Sequence, residues 1–146
     1  MFAKINHVAS SSENYAVLSK FYETVFGLKT SPNLRSGRAV TVGDGYVGFN
    51  INPRKAGRGA GLDHFGIQVE SVEKVFERMK KYPDAHWVER PATRPFAAIT
   101  ANDPDGNVFD LSQPNSKNLA HVYTENKGEV KSRYISHIAI RTMHPD

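Results

Sequence analysis

The chain has 146 residues, a formal net charge of +4 and no cysteine. This length supports one domain with a buried core, and the missing cysteines exclude disulfides, thiolate metal sites and thiol catalysis. The basic residues are scattered without stacking aromatics between them, and no apolar run approaches the length of a membrane span. We therefore expect a soluble cytoplasmic protein that binds neither nucleic acid nor membrane.

The first part of the chain, about residues 4–53, predicts one strand, one helix and three further strands. Ile5–Ser10 alternates as a strand does, and Ser12 is a candidate N-cap for a helix that ends at Phe26, before Gly27. The predicted buried stripe of this helix consists of Leu18, Phe21, Tyr22 and Val25. Three strand patterns follow, at 29–34, 38–42 and 46–52, the last two joined by a Gly-Asp-Gly turn.

The second part, about residues 61–113, repeats the same order after a Gly-rich, basic linker. In the strand 62–69, His64, Gly66 and Gln68 share one face, and the opposite face is mostly apolar. An amphipathic pattern then predicts a helix near 71–81. Three shorter strand patterns come next, and an Asp-Pro-Asp-Gly turn joins the last two, 96–102 and 107–113.

The motif of an aliphatic residue, a polar residue and then His occurs three times, at His7, His64 and His137. A polar linker, 114–132, separates the second copy from a predicted extra strand in 133–146. This strand is either the start of a third unit in a longer parent protein or a lone strand that packs on a sheet edge.

One pair of positions extends the repeat beyond the histidines. Asn50 follows His7 by nearly the same distance as Asp110 follows His64, and each lies on the last strand of its unit. A single His on a strand is more often a partly buried side chain than a ligand, and we treat His137 in that way. Two histidines at equivalent positions, with an inward carboxylate on the matching strand, favour a metal site.

The repeated units, the strand-borne histidines and the closing Asp-Pro-Asp-Gly-Asn resemble the vicinal oxygen chelate superfamily, which includes glyoxalase I, bleomycin-resistance proteins, methylmalonyl-CoA epimerase and extradiol dioxygenases. The resemblance covers residues 4–113. It implies an α+β fold in which paired β-α-β-β-β units form a cup-shaped mixed sheet. It also implies metal ligands at His7, His64 and Asp110, with Asn50 at the fourth ligand position.

Two imidazoles and one carboxylate form a set suited to Fe(II), which we favour, and the set would also hold Mn, Ni, Zn or Co. Asn50 is a weak neutral ligand where glyoxalase-like members carry a carboxylate, so we expect three ligands. We assign Asn50, Asn52, Gln68 and Arg94 to substrate binding. No residue is assigned as catalytic.

Two classes of function stay open. The first is a metal-dependent enzyme, a dioxygenase or a lyase/isomerase, that acts on a small oxygenated substrate. The second is a metal-free small-molecule binding protein of the bleomycin-resistance type. The His and Tyr that extradiol enzymes carry before the turn are missing, since Thr100 and residues 91–93 stand there. Sheet edges left exposed by the two units favour a homodimer.

Overall fold

The structure, a computed structural model, describes residues 3–31, 39–91, 97–114 and 135–142. The chain divides into two compact units: the N-terminal unit contains residues 6–63, and the C-terminal unit begins at His64. Both units have the element order β-α-β-β-β. The predicted α+β class built from paired units is confirmed.

The first five elements are one helix and four neighbouring strands of a mixed sheet. Their bounds are β1 (Ala3–Ser12), α1 (Tyr15–Phe26), β2 (Lys29–Thr30), β3 (Val40–Gly43) and β4 (Gly48–Pro53). The strands lie in the order β2-β3-β4-β1, with β1 parallel to β4 and the other neighbours antiparallel. A parallel pair needs a crossover connection, which α1 supplies.

The next five elements repeat this arrangement. Their bounds are β5 (Gly61–Val69), α2 (Val72–Met79), β6 (Trp87–Glu89), β7 (Ile99–Asn102) and β8 (Val108–Ser112). The strand order is β6-β7-β8-β5, with β5 parallel to β8 and the other neighbours antiparallel. Strand order and strand direction are therefore the same in the two units.

Two hairpin turns have the chemistry that the sequence indicates. Between β3 and β4, the Asp44 carboxylate accepts hydrogen bonds from the Tyr46 and Val47 amides at 2.9 and 2.8 Å. Between β7 and β8, the Gly106 amide donates to the Asp103 carbonyl at 2.9 Å, and Gly106 has a φ of 83°. A positive φ favours glycine, so this predicted turn is confirmed.

In the C-terminal unit the helix covers one face of the sheet and leaves the other face polar. Ile67 lies opposite Leu111 in the β5–β8 pair, and both pack in a core with Val69, Val72 and Ile99. Alternation along the same strands places His64 and Asp110 on the opposite face. The apolar face predicted to be buried is the one that packs against α2.

The N-terminus of α2 is capped by a side chain. Ser71 accepts a hydrogen bond from the Lys74 amide at 3.2 Å and donates one to Glu73 at 2.8 Å. The pKa of Glu73 is lowered from its ordinary value, first by a hydrogen bond from its own backbone amide and then by the one from Ser71. A negative charge at this end of a helix also interacts favourably with the helix dipole.

Helix α1 differs from its predicted orientation. Tyr22 packs edge-on against Phe49 at 4.8 Å between ring centroids, as a buried stripe requires, but Phe21 and Val25 are 49% and 57% exposed. The buried residue in this turn is Ser19, whose hydroxyl donates to the Ala16 carbonyl at 2.7 Å. A small, internally hydrogen-bonded residue can face the sheet, and the wide apolar stripe then extends beyond the contact.

The start of helix α1 and the segment 135–142 also differ from the prediction. Helix α1 begins at Tyr15 with Asn14 as its N-cap, because Ser12 still belongs to β1. Residues 135–142, where the sequence predicts a strand, have no strand pairing, and the Ile135 amide donates instead to the Asp44 carboxylate at 2.7 Å. An alternating pattern forms a strand only where its backbone groups meet a sheet edge.

None of the helices in the described part of the chain is both long enough and apolar enough to span a membrane.

Candidate metal centre

His64 and Asp110 come together in the C-terminal unit through the pairing of parallel strands. Gly66 lies opposite Asp110, so His64, two residues earlier on β5, shares the face of Asp110. The His64 Nε2 and Asp110 Oδ2 atoms are 3.5 Å apart, with the side chains 13% and 2% exposed. The sequence-predicted pair is therefore adjacent and largely screened from water.

This separation agrees with the distance between two ligands of one ion. Ligand atoms bonded to an ion at about 2.1 Å lie about 3.0 Å apart at an octahedral centre and about 3.4 Å apart at a tetrahedral one. The 3.5 Å between His64 Nε2 and Asp110 Oδ2 is close to the tetrahedral value. An imidazole nitrogen and a carboxylate oxygen are donors that Fe(II), Zn(II) and Mn(II) accept. The residues present fit such an ion.

A hydrogen-bonded chain holds the second oxygen of Asp110. The Arg90 Nε–H donates to the Thr100 hydroxyl at 2.9 Å, and that hydroxyl donates to Asp110 Oδ1 at 2.5 Å. The direction of both bonds is fixed, because a guanidinium has no acceptor and an ionised carboxylate has no donor. Oδ1 is thereby engaged, while Oδ2 faces His64. Thr100 therefore helps to set the orientation of the Asp110 carboxylate.

His7 in the N-terminal unit is fully buried, and its tautomer follows from its neighbour. The His7 Nδ1–H donates to the Asn6 side-chain oxygen. In a neutral imidazole with the proton on Nδ1, the lone pair is on Nε2. Metal-binding histidines commonly use their other ring nitrogen in this way, because the hydrogen bond sets both tautomer and ring orientation.

Asn50 occupies the position that Asp110 has in the other unit. Ala9 lies opposite Asn50 in the β1–β4 pair, as Gly66 lies opposite Asp110, so Asn50 shares the face of His7. The Thr41 hydroxyl donates to Asn50 Oδ1 at 2.6 Å. The cross-strand Thr-to-Asx hydrogen bond is therefore present in both units.

For the other predicted binding residues that it describes, the structure gives the burial and the strand face. Asn52 is partly buried and shares the face of Asn50, and Gln68 is partly buried and shares the face of His64. Arg94 lies outside the described residues. His137 is exposed and belongs to no strand. The approach of His7 to the His64–Asp110 pair stays a prediction.

The side chains that hold the ligand candidates were not predicted from the sequence. Thr41 lies opposite Asn50, and Thr100 lies opposite Asp110, at matching register in the two hairpins. A search for equivalent polar positions on the third strand of each unit finds both threonines. Arg90 has no such signal, because its contact with Thr100 depends on a loop placing its side chain across the sheet.

Comparison with known proteins gives three kinds of match. The model of the Glyoxalase/Bleomycin resistance protein/Dioxygenase superfamily matches residues 4–111. A Bacillus subtilis (strain 168) protein described as "Probable trivalent organoarsenical cleaving enzyme" is 23% identical over 130 residues, which cover 89% of this chain and 86% of that protein.

The solved structures that resemble the chain include hypothetical protein BH1468 from Bacillus halodurans C-125. Its TM-score is 0.60 at 16% identity, covering 79% of this chain and 96% of that one. Methylmalonyl-CoA epimerase from Mycobacterium tuberculosis has a TM-score of 0.57 at 14% identity, covering 77% and 89%. At these identities the likeness shows a common fold.

Proposed function

Because the chain belongs to the Glyoxalase/Bleomycin resistance protein/Dioxygenase superfamily, we propose that it is a metal-dependent enzyme acting on a small oxygenated substrate. The reaction is of the dioxygenase or the lyase/isomerase type. The observation that supports a metal best is the His64–Asp110 pair, in which Asp110 Oδ2 faces the imidazole and Oδ1 is held by Thr100. The buried carboxylate is thus oriented by a neighbour that holds one of its two oxygens.

The proposed ligands are His7, His64 and Asp110, with Fe(II) favoured and Mn, Ni, Zn or Co as further candidates. Asn6 accepts from His7 Nδ1 and so orients the ring, and Thr100 holds Asp110 in one orientation. A divalent ion in such a set supplies Lewis acidity towards two neighbouring substrate oxygens. The two strands that carry His64 and Asp110 are directly paired, so these ligands need little reorganisation before binding.

The arsenic chemistry of the Bacillus subtilis relative is not part of this proposal. Trivalent arsenic is a soft, thiol-seeking centre, and soft centres select thiolate ligands. The present chain has no cysteine to supply one. A hard substrate with oxygen donors suits its residues better.

A metal-free binding protein is the second candidate, and two observations favour it. Asn50 replaces the carboxylate expected at the fourth ligand position, which leaves fewer negative charges to attract a cation. The His64–Asp110 contact also gives the carboxylate a partner within the protein, without an ion. In that case the polar face binds a small molecule and performs no chemistry on it.

Metal binding separates the two candidates. Protein purified without a His tag is depleted with a chelator and titrated anaerobically with Fe(II), and in air with Mn(II), Zn(II) and Co(II). We expect one equivalent to bind, and His64→Ala to abolish binding while the circular dichroism spectrum is unchanged. His86→Ala is the matched control, because His86 is exposed and outside the polar face.

Two results would count against the metal-dependent enzyme. The first is a wild-type protein that binds none of the four ions, which supports the metal-free candidate. The second is a His64→Ala variant that binds metal as tightly as the wild type, which removes the pair from the site. If His86→Ala loses metal binding to the same extent as His64→Ala, the binding is non-specific uptake by surface histidines.

We also propose that the protein is a homodimer. Val17, Phe21 and Val25 recur every four residues on α1 and are exposed, so they form an apolar stripe of the kind found at protein interfaces. Phe21→Glu should convert the dimer to a monomer in sedimentation velocity. Thr24→Glu, at an exposed polar position of the same helix, is the control and should leave the mass unchanged.

A further inference from the structure

We infer that Asn50 presents its amide nitrogen, and not its oxygen, to the bound ligand, so that it is a hydrogen-bond donor to a substrate oxygen rather than a metal ligand. The inference deepens the proposed function, on which it rests for the presence of a substrate on this face. It assigns to Asn50 a ligand class: an anionic or carbonyl oxygen, as in a carboxylate, an enolate or a ketone.

The first step is the orientation of the amide. Thr41 and Asn50 lie opposite each other in the β3–β4 pair, and the Thr41 hydroxyl donates to Asn50 Oδ1 at 2.6 Å. Both side chains are buried, so the bond is formed away from water. The planar amide places Oδ1 and Nδ2 on different sides of the side chain. Engaging the oxygen with Thr41 turns the two N–H groups away from Thr41.

The second step is the face on which the amide lies. The β1–β4 register places Asn50 opposite Ala9, two residues beyond His7, so the Asn50 and His7 side chains project from the same face of the N-terminal unit. The opposite face carries Phe49, which packs against Tyr22 of α1. Asn50 is therefore on the polar side of the sheet, the side that carries His7.

The third step is the comparison of the two units. Thr100 donates to Asp110 Oδ1 in the C-terminal unit just as Thr41 donates to Asn50 Oδ1 in the N-terminal unit. The remaining atom is Oδ2 in Asp110 and Nδ2 in Asn50. A carboxylate oxygen can bind a metal ion, whereas an amide nitrogen has its lone pair delocalised and offers only donors. The same scaffold thus holds an acceptor in one unit and a donor pair in the other.

The ligand class follows from this donor pair and from charge. An amide N–H is complementary to an oxygen lone pair, and the bond is stronger when that oxygen is charged. A carboxylate at position 50 would instead repel an anionic oxygen. The substitution of Asn for a carboxylate therefore favours an anionic ligand at the position where a fourth metal ligand is lost.

Oxalate is the probe, because it carries two neighbouring anionic oxygens and is not consumed. Oxalate is titrated calorimetrically into wild type, Asn50→Ala and Asn50→Asp, each saturated with Mn(II), after the Mn(II) affinity of each has been measured. Asn50→Asp changes the shape least and reverses donor to acceptor, and Asn50→Ala removes both. Asn14→Asp at the exposed N-cap of α1 makes the same charge change and serves as the control.

We expect both Asn50 variants to bind oxalate about 10- to 100-fold more weakly, the loss of a hydrogen bond to a charged group. Asn50→Ala should keep the wild-type affinity for Mn(II) within about twofold, because no ligand atom is removed. Asn14→Asp should change neither affinity. If Asn50→Asp does not fold, as judged by circular dichroism, Asn50→Ala carries the comparison.

The inference is overturned if Asn50→Ala loses Mn(II) as His64→Ala does, since the amide oxygen is then a ligand while the proposed function stands. It is also overturned if the variants bind oxalate as tightly as the wild type. If the wild type binds no metal, the proposed function fails. The role of Asn50 is then tested separately, by titrating oxalate into the metal-free proteins in the presence of a chelator. Oxalate binding that the folded Asn50 variants lose then supports it, and any other result rejects it.

Discussion

Removal of the Thr100 hydroxyl is the most direct test of how the carboxylate is held. Thr100→Val keeps the side-chain shape but removes both the donor to Asp110 Oδ1 and the acceptor for Arg90 Nε. Thr41→Val removes the equivalent hydroxyl from the N-terminal unit, where the acceptor is the neutral amide of Asn50. The two threonines are 9% and 8% exposed, so burial is matched and the acceptor charge differs.

The expected magnitudes follow from that difference in charge. A hydrogen bond to a charged group contributes about 1.5–3 kcal/mol, and one between neutral groups about 0.5–1.5 kcal/mol. Asp110 is nearly inaccessible to water, so solvent cannot replace the lost donor. We expect the metal-free Thr100→Val protein to lose about 1.5–3 kcal/mol in free energy of unfolding, and Thr41→Val about 0.5–1.5 kcal/mol.

Urea denaturation in excess chelator measures these free energies by linear extrapolation. Trp87, the single tryptophan, stacks on Phe76 at 4.5 Å and reports unfolding of the C-terminal unit by fluorescence. Circular dichroism follows both units together. A second arm measures Mn(II) affinity, which Thr100→Val should weaken about 10- to 100-fold, the usual effect of removing a partner that orients a ligand. Thr41→Val should leave it within about twofold.

Equal destabilisation by Thr41→Val and Thr100→Val would refute the role of charge, because the Asp110 charge then adds nothing to the bond. A Thr100→Val variant with lowered stability but unchanged Mn(II) affinity would refute the role of Thr100 at the metal. In that case Thr100 supports the fold of the hairpin and does not position the carboxylate for an ion.

Two predictions concern the N-terminus of α2. Ser71→Ala should lower the free energy of unfolding by about 1 kcal/mol, the usual cost of losing a side-chain N-cap, as measured by urea denaturation at pH 7; an unchanged midpoint would contradict this role. Glu73→Gln should destabilise the protein at neutral pH, because the lowered pKa means that folding favours the ionised form. That stabilisation is present above the unfolded pKa, near 4.5, and is lost as the pH falls through the lower folded pKa; a wild-type advantage that persists at still lower pH would refute it.

Local pattern was sufficient for most of the secondary structure. The Asp103–Gly106 turn was predictable because its conformation depends on a few neighbouring residues, with glycine at the position of positive φ. The shared face of His64 and Asp110 was predictable because side chains alternate on a strand and the two units repeat. In each case the determining contacts are close along the chain or are implied by the repeat.

Two features of the secondary structure depended on packing between distant parts of the chain. Helix α1 buries Ser19 and exposes Phe21, because rotation of a helix is decided by the surface it meets and not by the breadth of its apolar stripe. Residues 135–142 alternate like a strand but have no strand partner, and pairing cannot be inferred from one segment alone.

The hydrogen bonds that orient Asp110 and Asn50 also depend on the tertiary structure. Thr100 reaches Asp110, and Thr41 reaches Asn50, only through the register of two antiparallel strands. Register is set by turn geometry together with the side chains packed on the buried face, so a shift of one residue would turn each threonine to the helix side. The sequence therefore determined which residue types were available on the polar face, and the strand register decided which side-chain atom of Asp110 and of Asn50 the opposite threonine holds.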